Sequence, residues 1–155
     1  MKHRERLTLI VMDLSSDEAE QYVATLRNAG QSVRQEPASD AEALAALLQD
    51  TEPDIVLCGP DVDLEVVAGL LREKSPHTPV IALARDATAE AVLAARRAGA
   101  MECVPVDPPL ALQLAFDRCL EVARLRRLVE DLLEVSRLES DTDLPDASEV
   151  DVARF

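Results

Sequence analysis

Three short apolar runs constrain the fold of this chain more than anything else in its sequence: Leu7-Thr8-Leu9-Ile10-Val11-Met12, Ile55-Val56-Leu57-Cys58-Gly59 and Val80-Ile81-Ala82-Leu83-Ala84. Each is too short for a helix. The second and third are too uniformly apolar for a strand with one wet face, so they need cover on both sides. Strands of that kind belong to parallel sheets with helices packed above and below. In open sheets of this class the chemistry lies just beyond the carboxyl ends of the strands. Immediately after Cys58 comes Gly59-Pro60, which offers no side-chain functional group.

The segments between the runs carry helical patterns. After Asp13, Ser15 or Ser16 followed by Asp17-Glu18 reads as a helix N-cap with acids in the first turn, and Ala19, Tyr22, Val23, Leu26 and Ala29 recur at helical spacing until Asn28-Ala29-Gly30. A short, polar second strand is expected over Gln31–Gln35, near an edge of the sheet. Ser39 or Asp40 caps a second helix with Ala43, Leu44, Ala46, Leu47 and Leu48 on one face. A third helix reads from Leu64 to Leu71 and closes at Ser75-Pro76. A fourth runs from Thr88 to Ala98 and stops at Gly99. Cys103-Val104-Pro105-Val106 is a fifth strand, and a last helix begins after Asp107-Pro108-Pro109, where a cis proline is allowed. Five β-α units with right-handed crossovers predict an α/β fold: a doubly wound, five-stranded parallel sheet of flavodoxin-like (β/α)5 type.

The last helix is longer than such a sheet needs. Its periodicity continues from Leu110 to Leu138 without Gly or Pro, a length of about 43 Å at 1.5 Å per residue. The distal half is expected to project from the domain. Val122, Leu125, Leu128, Val129, Leu132 and Val135 form an apolar stripe with 3-4 spacing along it, a candidate helix-helix seam through which the chain would form a homodimer, the alternative being a helix that folds back as a cap. The organisation expected is a domain over 6–122, a projecting helix over 123–138 and an acidic linker or disordered tail over 139–155, where Asp141, Asp143, Asp146, Glu149 and Asp151 gather among small polar residues.

Composition excludes several function classes. Thirty acidic against sixteen basic residues leave a formal charge of -14, which opposes binding to nucleic acid or an anionic membrane. With no Trp, one Tyr and two Phe, aromatic platforms for bases are absent too. The short basic groups Lys2–Arg6 and Arg124–Arg127 read as solvated faces. Cys58, Cys103 and Cys119 lack metal-ligand spacing and read as reduced thiols, so no cofactor and no metal is expected. No signal-peptide pattern and no membrane-length apolar run are read, and the expected location is cytoplasmic. No nucleophile elbow, P-loop or GxGxxG occurs, and with only His3 and His77 available no catalytic base can be nominated; the chain is not expected to be an enzyme.

The order of units resembles the receiver domain of bacterial two-component response regulators. The likeness covers about 6–122 and rests on Asn28-Ala29-Gly30 before strand two, Pro53-Asp54-Ile55-Val56-Leu57 for strand three, Pro79-Val80-Ile81-Ala82-Leu83 for strand four and Ala95-Arg96-Arg97-Ala98-Gly99-Ala100 before strand five. The resemblance implies a self-phosphorylating device: an acidic pair after strand one and an Asp after strand three hold Mg²⁺, that Asp accepts the phosphoryl group, and a Thr or Ser after strand four and a Lys after strand five bind its oxygens. The metal and the Lys neutralise charge developing on those oxygens. On that pattern Gly59 stands at the phosphoacceptor, Ala84 at the hydroxyl and Val106 at the Lys. Of the acidic pair only Asp13 is in place, and the start of the first helix carries an extra residue.

The resemblance therefore implies a fold kept without its chemistry: a phosphorylation-independent pseudo-receiver acting as a signalling, protein-interaction and dimerisation module that regulates a following output domain or another signalling protein. Asp13-Leu14-Ser15-Ser16-Asp17-Glu18-Ala19-Glu20 and Leu26-Arg27-Asn28-Ala29-Gly30 are similar to the degenerate N-terminal receivers of cyclic-di-GMP signalling proteins of type IV pilus and motility control. The competing expectation is a phosphorylatable receiver that uses a displaced acceptor, Asp61 or Asp63, with Mg²⁺.

Overall fold

The structure, a computed structural model, describes residues 6–142, with side chains through 138. Two compact units divide the chain, Met1–Ala123 and Arg124–Phe155. In the first, five strands alternate with five helices: β1 Leu7–Met12, α1 Ser16–Asn28, β2 Val33–Ala38, α2 Ala41–Asp50, β3 Ile55–Cys58, α3 Leu64–Lys74, β4 Val80–Ala84, α4 Ala89–Ala98, β5 Glu102–Pro105 and α5 Pro109–Thr142. The last helix runs on into the second unit. All strand pairs are parallel and the order is β2-β1-β3-β4-β5, so the chain reverses direction across the sheet between β1 and β3.

Both faces of the central strands are covered, as their unbroken apolar character requires. Ile55 and Leu57 of β3 pack with Val23, Leu26, Leu112 and Phe116 of α1 and α5. Val56 and Cys58 point the other way, into a core with Leu44, Val67, Leu71 and Ala95 of α2, α3 and α4. Burial of this order, at about 25 cal/mol per Å² of apolar surface, is the main force holding the domain together. It also sets the chemistry of the thiols: Cys58 and Cys119 are buried and desolvation pushes each up to about 12, with the Glu102 carboxylate adding to it at Cys119. Cys103 is only half-buried, because β5 is an edge strand with fewer neighbours over it.

Helix starts follow their sequence signals. Ser15 closes a full capping box with Glu18, Asp40 caps α2, Asp63 caps α3 and Thr88 caps α4. Pro109 opens α5 at the position where a missing N–H costs nothing. The second strand lies at an edge but over Val33–Ala38, later than the expected Gln31–Gln35. The turn after α1 uses Gly30, φ +96°, and Gln31, and the ladder to β1 then runs from Leu7 opposite Val33 to Met12 opposite Ala38. Pro37 fits there because an edge strand has one side without a partner. The Asp107-Pro108 peptide is cis.

Helix α5 has 34 residues, about 51 Å of helix. It continues through residues 139–142, the start of the expected acidic tail, since no Gly or Pro occurs before Pro145 to stop it. The remainder of that tail lies outside the described residues. Before Arg124 the helix buries Leu112, Ala115, Phe116, Cys119, Leu120 and Ala123. In the second unit Leu125, Leu128, Val129, Leu132, Leu133, Val135 and Leu138 are each more than half exposed.

Gly99 ends α4 in the left-handed region, φ +117°, and a Cβ there would stand 2.5 Å from the Ala68 Cβ of α3. Gly69, one residue further along α3, has nothing within 4 Å of its would-be Cβ. Gly99→Ala should therefore lower unfolding stability by about 1–3 kcal/mol. Gly69→Ala should raise it by about 0.5–1 kcal/mol. Urea denaturation of the two variants checks both signs.

Candidate functional site

The carboxyl ends of β1, β3 and β4 converge at one edge of the sheet, with the β1–α1, β3–α3 and β4–α4 connections above them. Gly59 is the first residue beyond β3. Its N–H donates to the Met12 carbonyl at 2.9 Å, which extends the β1–β3 ladder by one bond. The neighbouring β1–α1 connection then turns across it. Asp13 adopts φ +53°, a left-handed conformation that Asp tolerates better than most residues. A Cβ on Gly59 would lie 2.6 Å from the Asp13 carbonyl oxygen, 3.2 Å from the Met12 carbonyl oxygen and 3.2 Å from Leu14 Cδ2. Two of those three atoms are backbone, so relief would require the main chain to move.

Leu14 itself is half-buried and packs against the core beneath α1 and α5. Asp13 and Leu14 thus cover the end of β3 before Ser15 caps α1. At this edge an apolar side chain and a carbonyl occupy the space into which a side chain at position 59 would extend.

The other residues singled out from the sequence divide between two places. Asp13, Asp61 and Asp63 line one cavity of 320 Å³ together with Asp40, over a floor that includes Met12 and Val67. Ala84 lies at the end of β4 on the rim of a second cavity, 510 Å³, beside Ala91 and Ala95 of α4. Val106 is joined to Ala84 by its N–H, which donates to the Ala84 carbonyl at 2.9 Å. The Val106 carbonyl accepts from the Tyr22 hydroxyl of α1 at 2.8 Å. Burial, then the nearby Glu18 and Asp107 carboxylates, raises the Tyr22 hydroxyl above its ordinary pKa.

The two alternative acceptors already have structural roles. Asp63 Oδ1 accepts the Glu65 N–H at 3.2 Å as the N-cap of α3. Both Asp61 oxygens are held by Arg85, Nη1 to Oδ1 at 2.9 Å and Nη2 to Oδ2 at 2.7 Å. This fork-to-fork pair ties the β3–α3 connection to the residue after β4, and Arg85 holds the Asp61 carboxyl below its ordinary range. Leu14, Tyr22 and Arg85 are site residues that sequence reasoning does not single out. Only Arg85 carries a signal, a cation directly after an apolar strand.

No protein-family profile and no curated protein matches the sequence. Solved structures do. NtrX from Brucella abortus aligns over 83% of this chain at 25% identity with a TM-score of 0.69. The chain spans only 29% of that protein's length. The receiver domain of the response regulator NarL from Mycobacterium tuberculosis aligns over 76% of this chain and 98% of its own, at 24% identity and a TM-score of 0.61. A CheY-like receiver domain from Methanospirillum hungatei aligns over 79% of this chain and 99% of its own, at 16% identity and a TM-score of 0.63.

The first unit has the receiver fold.

The Mg²⁺ that receivers use for phosphoryl transfer finds no matching ligand set here. Gly59 brings no carboxylate to the end of β3, and among the described residues no group of three or more His, Cys, Asp or Glu is placed to hold a metal ion. Asp13, Asp40, Asp61 and Asp63 surround a cavity without converging on a point, and two of them are spent on helix caps.

A side chain introduced at position 59 should not create an acceptor. Gly59→Ala and Gly59→Asp should each lose about 1–3 kcal/mol of unfolding stability, because the added Cβ displaces backbone. Gly59→Asp should gain no phosphoryl mass with acetyl phosphate and Mg²⁺. Denaturant unfolding and intact mass spectrometry read the two effects.

Proposed function

We propose that the chain is a phosphorylation-independent pseudo-receiver, a module that uses the receiver fold to bind and pair proteins. The observation that carries this reading is the closed end of β3: position 59 has neither a carboxylate nor room for one, while the sheet order and both cores of the fold are retained. Receivers signal by presenting surfaces to other proteins, and that capacity needs the scaffold and not the acceptor. Val106 and Ala84 fit the same reading, since neither can hold a phosphoryl oxygen through its side chain.

The output element in this proposal is α5. A soluble helix that leaves seven large apolar side chains more than half exposed over fourteen residues has an unsatisfied face, and a second copy of the same helix would bury it. The chain accordingly forms a homodimer through Leu125, Leu128, Val129, Leu132 and Val135, with Val122 at the upstream end of the seam. The paired helices connect it to a following domain or another signalling protein. Membership among the receivers of cyclic-di-GMP signalling proteins of pilus and motility control is part of the same proposal. It is supported by the β1–α1 and α1–β2 stretches, and one of the structural neighbours, at 19% identity, is a pilus assembly-related protein of Burkholderia pseudomallei. No described helix is long and apolar enough to cross a membrane.

The competing reading, phosphorylation at Asp61 or Asp63, has the Arg85 pair and the α3 cap against it. A phosphoryl group on Asp61 would have to displace Arg85 and would find no hydroxyl at Ala84.

Two outcomes test the proposal. The unsubstituted chain should gain no mass on incubation with acetyl phosphate and Mg²⁺. In sedimentation velocity it should associate with rising concentration, and Leu132→Glu should weaken that association at least tenfold, the loss expected when a charge enters an apolar seam at a cost of about 1.4 kcal/mol or more. A phosphorylated chain, or a monomer at every concentration, would contradict it.

A further inference from the structure

Helix α4 has little apolar anchorage. Its one buried residue is Ala95, whereas α1 buries Ala19, Tyr22, Val23 and Leu26 and α3 buries Val67, Ala68 and Leu71. The cause lies in its sequence. Ala91, Ala94, Ala95 and Ala98 line the 510 Å³ cavity at the carboxyl end of β4, and side chains this short leave that space unfilled. A helix with so few buried contacts depends on how its ends are held.

The two ends are held differently. At the carboxyl end the Gly99 backbone stands so close to α3 that a Cβ would lie 2.5 Å from the Ala68 Cβ. Ala100 is buried there, and the Met101 N–H donates to the Val80 carbonyl at 2.8 Å. At the amino end Arg85, Asp86 and Thr88 are exposed. Among the described residues, the side-chain hydrogen bonds that tie this connection to another element are the two from Arg85 to Asp61.

We infer that the Asp61–Arg85 pair is an electrostatic latch on α4. Closed, it fixes the β4–α4 connection to the β3–α3 connection and keeps the amino end of α4 over the cavity. Open, it lets that end lift about Gly99 and uncovers the alanine face. The bidentate geometry gives the closed state one defined arrangement. The Arg85 and Asp61 side chains are 68% and 63% accessible, so salt and the charged side chains of a partner protein compete for both charges. The latch works within the first unit, and neither the closed end of β3 nor the α5 seam enters it.

Cys103 of β5 lines the same cavity and reports on its opening, while Cys58 is buried elsewhere in the core. Hydrogen exchange and thiol labelling of the full chain test the latch. Arg85→Ala and Asp61→Ala should each raise amide exchange over residues 92–98 by about two- to five-fold, the factor that an exposed ion pair supplies. Each should also speed the labelling of Cys103 by iodoacetamide, while the amides of α1 and β3 and the Cys58 thiol keep their rates. The double variant should be no faster than either single one, because the same contact is lost. Sodium chloride at about 0.5 M should speed α4 exchange in the unsubstituted chain and leave that of Arg85→Ala unchanged. Rates at α4 and Cys103 that neither substitution alters would overturn the latch. So would a rise shared equally by α1, β3 and Cys58, which marks a loss of global stability, or effects that add in the double variant.

Discussion

The last rung of the β1–β3 ladder, Gly59 N–H to the Met12 carbonyl at 2.9 Å, is the contact on which the site depends. Because that rung is made and Asp13 turns left-handed immediately after Met12, the β1–α1 connection passes within 2.6 Å of where a Cβ on residue 59 would sit. Glycine is the residue that this approach admits. The closure of the edge, the placement of Leu14 and the start of α1 at its Ser15 capping box all follow from the same few residues. On the proposed reading, the lack of an acceptor at position 59 follows from the backbone path as well as from the side chain.

Further contacts hold the same edge of the sheet together. Asp61 and Arg85 connect the β3 and β4 ends through two hydrogen bonds, and the Val106 backbone connects β5 to β4 on one side and to Tyr22 of α1 on the other. The ion pair is exposed, so its worth to stability is small, and its main effect is on the geometry of the two connections. Below them, the two cores on either face of the sheet supply the stability.

Much of the fold is legible in the sequence, for reasons that can be stated residue by residue. Strands buried on both faces, such as Ile55–Cys58, announce themselves by composition, and Ser15, Asp40 and Thr88 mark helix starts by local hydrogen bonding that needs no tertiary context, whereas the Asp63 cap of α3 goes unread in the sequence. The second strand lies about two residues later than its sequence suggests, because its register is dictated by pairing with β1, which a polar edge sequence does not reveal. At the site, the absence of side-chain chemistry at Gly59, Ala84 and Val106 can be read directly. The steric closure cannot, since the carbonyl of Asp13 is anonymous in sequence and its distance to Gly59 is a property of the folded chain. The Asp61–Arg85 pair is hidden for the same reason, its partners lying 24 positions apart.

The central claim, that the end of β3 is closed by backbone, is tested most directly at one amide. In a ¹⁵N-labelled sample the Gly59 N–H should be strongly protected from hydrogen exchange, being bonded to the Met12 carbonyl. Its resonance should stay in place when Mg²⁺ and beryllofluoride are added. A Gly59 amide that exchanges freely with solvent, or that shifts with the phosphoryl analogue, would contradict the account.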